Sequence, residues 1–312
     1  MKTKKKIFGL LLCALMPLTV CAQHEISIDG GGGISMMLYR GSAGNKKINL
    51  GYAGGFSYVY FSPDRTVAFR TGLEVINYAA TMTANGLKEG YKTYDMDGEP
   101  IIFRYKVNDY TEDVSAMYLQ LPVLFQFMNR GHDLISKHRF YADIGFKFGI
   151  PVNARLKINS MNMTSSGYYL NYDSEIEEPR FMGYGTFDIE GAAPSKIKLG
   201  VSINASIELG IRWHLYNKML FLYTGLYCDY GLTNLAPVSR SSEEGGTHLI
   251  NYNPEDPTAF TSNSLFFANK VTEFNETVRV IKRVSPLAAG LRIRIGIFME
   301  KPASKIRWAR HI

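Results

Sequence analysis

Strict two-residue alternation runs through the middle of this chain and limits what it can become. From Leu199 to Trp213 one face carries Leu199, Val201, Ile203, Ala205, Ile207, Leu209, Ile211 and Trp213, and the other Gly200, Ser202, Asn204, Ser206, Glu208, Gly210 and Arg212. Side chains alternate between two faces in a strand, and no helix face has that period. Phe140 to Ile150 and Leu287 to Met299 repeat the pattern. The same reading predicts eight strands, near 24–40, 47–62, 66–82, 115–128, 138–156, 198–215, 219–233 and 285–300. An even number of antiparallel strands suits closure into an outer-membrane barrel. The connections run 41–46, 63–65, 83–114, 129–137, 157–197, 216–218 and 234–284, so that short turns fall on one end and three long loops on the other. With the N-terminus in the periplasm, the short turns are periplasmic and the three long loops extracellular.

The two faces separate a membrane barrel from a soluble one. A soluble barrel would show Lys and Glu on its polar face, whereas Gly, Ser, Asn and Ala dominate here with sparse charges of both signs. Small side chains suit the lumen of an eight-stranded barrel, which is only just wide enough for side chains. The large apolar residues then face lipid, with Tyr52, Tyr58, Tyr60, Trp213 and Tyr230 placed to form interfacial girdles. The expected fold is all-β: an eight-stranded antiparallel transmembrane up-and-down barrel formed as one domain by residues 23–300.

Residues 1–22 read as a cleaved signal peptide, with Lys2 to Lys6 basic, Ile7 to Val20 apolar and Val20-Cys21-Ala22 before Gln23. A lipoprotein reading would lipidate Cys21, but Val20 is bulky where such boxes take a small residue. Beyond that segment only Cys228 remains, which excludes an intramolecular disulfide and a multi-cysteine zinc site. The formal charge of +7 sits at the ends. Removing the four lysines of residues 1–22 leaves +3, and removing Lys301, Lys305, Arg307 and Arg310 leaves −1 for the body, so nothing supports a nucleic-acid partner.

The Tyr118-Leu119-Gln120-Leu121-Pro122-Val123-Leu124 segment, the Gly-rich alternating strands and the leader ending Val20-Cys21-Ala22-Gln23 resemble the PorT-like outer-membrane β-barrel proteins of Bacteroidota. The resemblance implies an eight-stranded barrel in the outer membrane of a Gram-negative bacterium, and no chemistry. Pro122 interrupts the hydrogen-bond ladder and is expected at a bulge or strand end.

The lumen-facing positions include Arg70, Glu74, Asp143, Lys147, Glu208, Arg212, His214, Arg292 and Arg294. Buried charges must pair, because an unpaired one costs roughly several kcal/mol. These residues are expected to form a salt-bridge network that plugs the barrel. With three acids against five bases, residual water or lipid phosphate is expected to complete the balance. A gated polar path or a catalytic cluster is the competing reading. No His-x-Ser pair occurs, and His248 near Glu243 and Glu244 is the nearest thing to a general base. No catalytic residue, cofactor or metal is assigned. Asp95-Met-Asp97-Gly98-Glu99 has its Gly too early for an EF-hand and reads as a hairpin turn between Tyr91–Tyr94 and Ile101–Tyr105.

Ser166–Tyr172 and Leu249–Pro254 mix Tyr with Asn, which suits either a recognition surface or packing over the barrel mouth. The tail 301–312, with its cations and Trp308, suits anionic headgroups at the periplasmic leaflet. The expected partners are outer-membrane lipid and an extracellular ligand or envelope protein met by loops 83–114, 157–197 and 234–284. The expected role is non-enzymatic: binding, adhesion, or envelope or secretion assembly. A narrow solute pore is the alternative, and a lipid-modifying or proteolytic barrel the third reading.

Overall fold

A computed structural model of the chain describes residues 23–41, 45–129, 138–190, 195–215, 219–236, 248–265, 268–271, 277–279 and 281–299. Eight long strands dominate: β1 (Gln23–Gly41), β2 (Asn49–Phe61), β3 (Val67–Thr83), β4 (Pro100–Met128), β5 (His138–Tyr169), β6 (Ser202–His214), β7 (Leu220–Gly231) and β8 (Ile281–Met299). Each pairs antiparallel with the next, and β8 returns to β1 through a register running from His24↔Met299 through Gly33↔Gly290 to Met37↔Pro286. The ring is therefore closed and up-and-down. The segments read as leader (1–22) and basic tail (301–312) lie outside the described residues.

The outer wall carries a belt of exposed apolar side chains. On β5 these are Phe140, Ile144, Phe146, Phe148, Ile150 and Val152, on β6 Ile207 and Leu209, and on β8 Leu291, Ile293, Ile295 and Ile297. Tyr52, Tyr58, Trp213 and Tyr230 are exposed on the same surface, and Tyr60 is half-buried. The inward positions between them hold small residues and charges. At one such point the ring of Tyr141 crosses Gly210 and Gly225, where a Cβ would stand 2.8 Å and 2.7 Å from it.

Two strands are far longer than predicted. β4 begins at Pro100 rather than near 115, and β5 continues to Tyr169 rather than ending near 156. The two stay paired to Ile101↔Tyr169, so much of the predicted loops 83–114 and 157–197 is wall. The hairpin expected at Asp97-Gly98 is present: Leu87–Tyr94 pairs with β4 as Tyr91↔Phe103 and Tyr94↔Pro100. Gly98 takes the left-handed turn at φ 81°, and Asp95 Oδ1 accepts the N–H groups of Asp97 and Glu99.

The orientation of the apolar face reverses along these strands. Within the belt large apolar residues point outward, whereas in the extension Ile101, Phe103, Tyr105, Val107, Met161 and Met163 point inward and are buried. Register shifts at Val107/Asp109, Thr111/Glu112 and Met117/Tyr118 between β4 and β5 change the phase of the alternation. A wall surrounded by lipid needs apolar groups outside, and a wall surrounded by water needs them inside.

Pro122 departs from expectation. It lies within β4 opposite Lys147 of β5, at neither a bulge nor a strand end. The β3–β4 ladder instead lapses between Thr71↔Val123 and Glu74↔Gln120 and resumes in unchanged register. The missing N–H is thus absorbed as a local gap.

Replacing Ile293, in the middle of the β8 belt, by Arg is expected to cost about 2–4 kcal/mol of folding free energy in a bilayer. Denaturant titration of protein folded into vesicles reads this directly. The same substitution at Met96, exposed at the hairpin tip of the extension, is expected to leave the midpoint unchanged.

Candidate functional site

The inward face of the belt holds a lattice of charges that joins opposite walls. Arg70 on β3 donates to Asp143 on β5 at 2.8 Å, to Glu208 on β6 at 2.9 Å and to Asp29 on β1 at 3.0 Å. Arg292 on β8 grips Glu74 through two bonds of 2.7 and 2.9 Å, and Lys147 joins Glu74 at 3.1 Å to Asp229 at 2.7 Å. Arg294 lies 3.5 Å from Asp143 and over the ring of Tyr223 at 4.0 Å. Arg212 sits lower, 3.5 Å over Phe221 and 3.6 Å from Glu25.

All eight charged positions assigned to the lumen (Arg70, Glu74, Asp143, Lys147, Glu208, Arg212, Arg292 and Arg294) are buried, at 5% exposure or less. His214 is not among them: it is half-buried near the end of β6, its ring 5.1 Å from Phe221.

The expected imbalance of three acids to five bases is corrected. Glu25, Asp29 and Asp229 also point inward and are buried, so Glu25, Asp29, Glu74, Asp143, Glu208 and Asp229 face Arg70, Lys147, Arg212, Arg292 and Arg294. The protein supplies the counter-charge from its own strands. Parity could have found these acids: Glu25 and Asp29 alternate with the lipid-facing Ile26 and Ile28, and Asp229 precedes the exposed Tyr230. Hydroxyls add to the shell, with Ser57 donating to Asp29, Ser206 to Asp229, Tyr141 to Glu208 and Tyr223 to Glu25, while the Nε atoms of Arg70, Arg292 and Arg294 stay without a hydrogen-bond partner among the described residues.

Packed layers flank the lattice on both sides. Toward the short turns, Phe61, Met128, Phe221, Tyr223 and Phe298 form an inward cluster. Toward the extension, Tyr78, Tyr118, Ile76 and Leu199 begin a larger core that includes Leu235, Leu249, Ile250, Tyr252, Leu265 and Ala268 from the last long connection. Leu249–Pro254 is thus largely packing over the mouth. Ser166–Tyr172 divides, with Tyr169 buried and Tyr172 exposed. Residues 237–247, including Glu243 and Glu244, lie outside the described residues.

Two polar ties hold that connection in place. His248 Nδ1 lies 2.9 Å from Glu89 and its ring stacks on Tyr91 at 3.7 Å, while Tyr105 also donates to Glu89. Glu112, above the belt, accepts the hydroxyls of Tyr110 and Ser264 and the N–H of Leu265. Among the described residues neither carboxylate has a serine beside a histidine base, the arrangement that activates a serine nucleophile. Among the described residues no three ligand-type side chains converge on a metal position, and Asp95 is occupied by backbone N–H groups and by the Tyr169 hydroxyl at 2.9 Å.

Burial pushes the Glu112 carboxyl up to about 7, against the lowering effect of its hydrogen bonds. Its protonated form is therefore the one docking favours, and the contribution is full below its ordinary value and lost as pH rises through about 7. Amide exchange at Leu265, corrected for intrinsic rates, is expected to show protection falling between pH 5 and 8, and Glu112→Gln to flatten that dependence. Within the lattice, Arg70→Met leaves three buried acids without their shared cation and is expected to cost about 3–5 kcal/mol, read as a lower denaturant midpoint.

A family model described as outer membrane protein beta-barrel domain matches residues 21–236. Among solved structures, the chain is similar to Neisserial surface protein A, at 9% identity over 89% of this chain and 99% of that one, with a TM-score of 0.31. It is also similar to the outer membrane protein OprG from Pseudomonas aeruginosa, at 11% identity over 90% and 97%, with a TM-score of 0.33. A search of curated proteins finds no match.

Proposed function

Because the chain belongs to the outer membrane protein β-barrel family, we propose that it is a closed, non-enzymatic scaffold that presents its extracellular β-extension to a partner at the cell surface. The carrying observation is the filling of the lumen at three successive levels: aromatic cluster, ion-paired lattice and apolar core. A solute would have to break charge-assisted bonds in the middle and cross apolar packing above them. The His248–Glu89 pair, stacked and partly buried, supports a structural rather than a catalytic histidine.

The tip of the extension supports the binding role. Exposed large apolar side chains gather at the far end of the extension, where Tyr94, Met96, Leu170, Tyr172 and Phe181 stand out from the wall. Loops 83–114 and 157–197 thus offer a contact surface carried on paired strands, while the described part of 234–284 mainly fills the mouth. Rigid presentation lowers the ordering cost of binding. The Tyr118–Leu124 segment and the Gly-rich strands support a place among PorT-like barrels of Bacteroidota, a likeness that carries no role with it. The charged lumen keeps a narrow pore as the second reading.

Planar-bilayer recording separates the two. The scaffold reading predicts no steady conductance from the purified protein, whereas a narrow pore predicts open steps altered by Glu208→Ala. In parallel, Tyr94→Ser, Tyr172→Ser and Phe181→Ser together are expected to abolish cross-linking to the surface partner in intact cells without changing heat-modifiable gel mobility.

A further inference from the structure

We propose that the outer wall carries a site for the phosphate groups of an outer-leaflet lipid, built from Arg155, Lys157, Lys196 and Lys198. Val152 on β5 and Val201, just before β6, are strongly exposed and mark the upper edge of the belt on two neighbouring strands. Three residues further up each strand, the wall turns basic, with Arg155 after Val152 and Lys198 before Val201. Ile197 packs against the inner core and Leu199 is buried within it, which leaves Lys196 and Lys198 on the outer face.

The arrangement has a cost that the protein does not offset. Lys196 lies directly opposite Arg155 in the ladder, and like charges at opposed positions destabilise a sheet. None of the four cations has an acid partner among the described residues. Asp113, opposite Lys157 in the ladder, accepts bonds from Thr81 and Asn159, and Asp109 and Asp188 line a second groove beside Lys157, where Asp188 accepts from Asn162. By contrast, Arg283 near the extracellular end of β8 is tied to Leu232 O at 2.7 Å and Ser285 Oγ at 3.1 Å. An open groove of about 320 Å³ beside Arg155 and Lys157, lined also by Asn49, Thr81 and Asp113, gives room for a headgroup.

The occupant follows from position. The four cations lie where the apolar belt ends, so a lipid whose chains cover Ile150, Val152 and Leu50 brings its headgroup to this height. Arg offers paired donors that match phosphate oxygens, and Lys supplies point charge. This inference stands on the membrane location of the barrel and is independent of the partner reading at the extension tip.

The test uses the full chain purified in neutral detergent and native mass spectrometry of retained lipid. The probes are lipid A with two phosphates, the same lipid with its phosphates removed, and inorganic phosphate. The wild-type protein is expected to retain the phosphorylated lipid and lose the dephosphorylated one. The variant Arg155→Ala/Lys157→Ala/Lys196→Ala/Lys198→Ala is expected to weaken retention about fivefold per cation removed, at least about a hundredfold together. A control lacking Lys88, Lys92 and Lys106 on the extension is expected to behave as wild type. Equal binding of both lipids by the wild-type protein overturns the proposal without recourse to any variant. Unchanged retention by the fourfold variant overturns it as well, and displacement of the lipid by stoichiometric inorganic phosphate assigns the cations to a free anion instead.

Discussion

Backbone pairing around a closed ring is the constraint from which the rest of this structure follows. In hydrocarbon no water is available to an unpaired N–H or C=O, so a sheet can cross only if its last strand returns to its first. Here β8 returns to β1 over nearly the whole length of both strands. That seam fixes the inward and outward parity of all eight strands, and parity decides which residues meet lipid and which meet one another. Even Pro122 is accommodated without a change of register, because a slip of one residue would exchange the lipid face for the lumen face.

Inside the ring, charge performs the role that apolar packing plays in most cores. Arg70 joins three strands other than its own, and Arg292 and Lys147 converge on Glu74. These ties span the lumen and oppose both collapse and opening. Above the belt the solvent changes, and so does the design. The continuations of β4 and β5 place Ile101, Phe103, Met161 and Met163 inside, as a soluble sheet would. The junction falls at the register shifts, where the ladder can change phase at small cost in hydrogen bonds. A single pair of strands therefore spans two environments.

Legibility in the sequence followed the strength of the alternation. Ser202–Trp213 and Phe140–Ile150 read as strands because lipid and lumen impose opposite demands on adjacent residues, whereas Leu199, expected on the lipid face, precedes β6 and turns into the inner core. Every predicted lumen charge except His214 joins the buried set, since each shares parity with small residues between large apolar ones. Asp29 was hidden by the glycines that follow it, and Glu25 and Asp229 by their places near strand ends. The length of β4 and β5 was not legible because the phase slips at Asn108 and near Pro151 break the two-residue period, and a broken period looks like a loop. The packing of Leu249–Ala268 into the mouth depends on long-range ties such as His248 to Glu89, which no local pattern encodes.

Site-specific labelling along β5 tests the two-environment barrel most directly. In a Cys228→Ser background, single cysteines at Phe146, Phe148, Ile150, Arg155 and Lys157 would be exposed to a membrane-impermeant thiol reagent in intact cells. The structure predicts that positions 146, 148 and 150 are protected by lipid and that 155 and 157 label rapidly. Uniform labelling of all five, or labelling of the belt positions in preference to 155 and 157, would contradict a lipid-facing belt below a solvated extension.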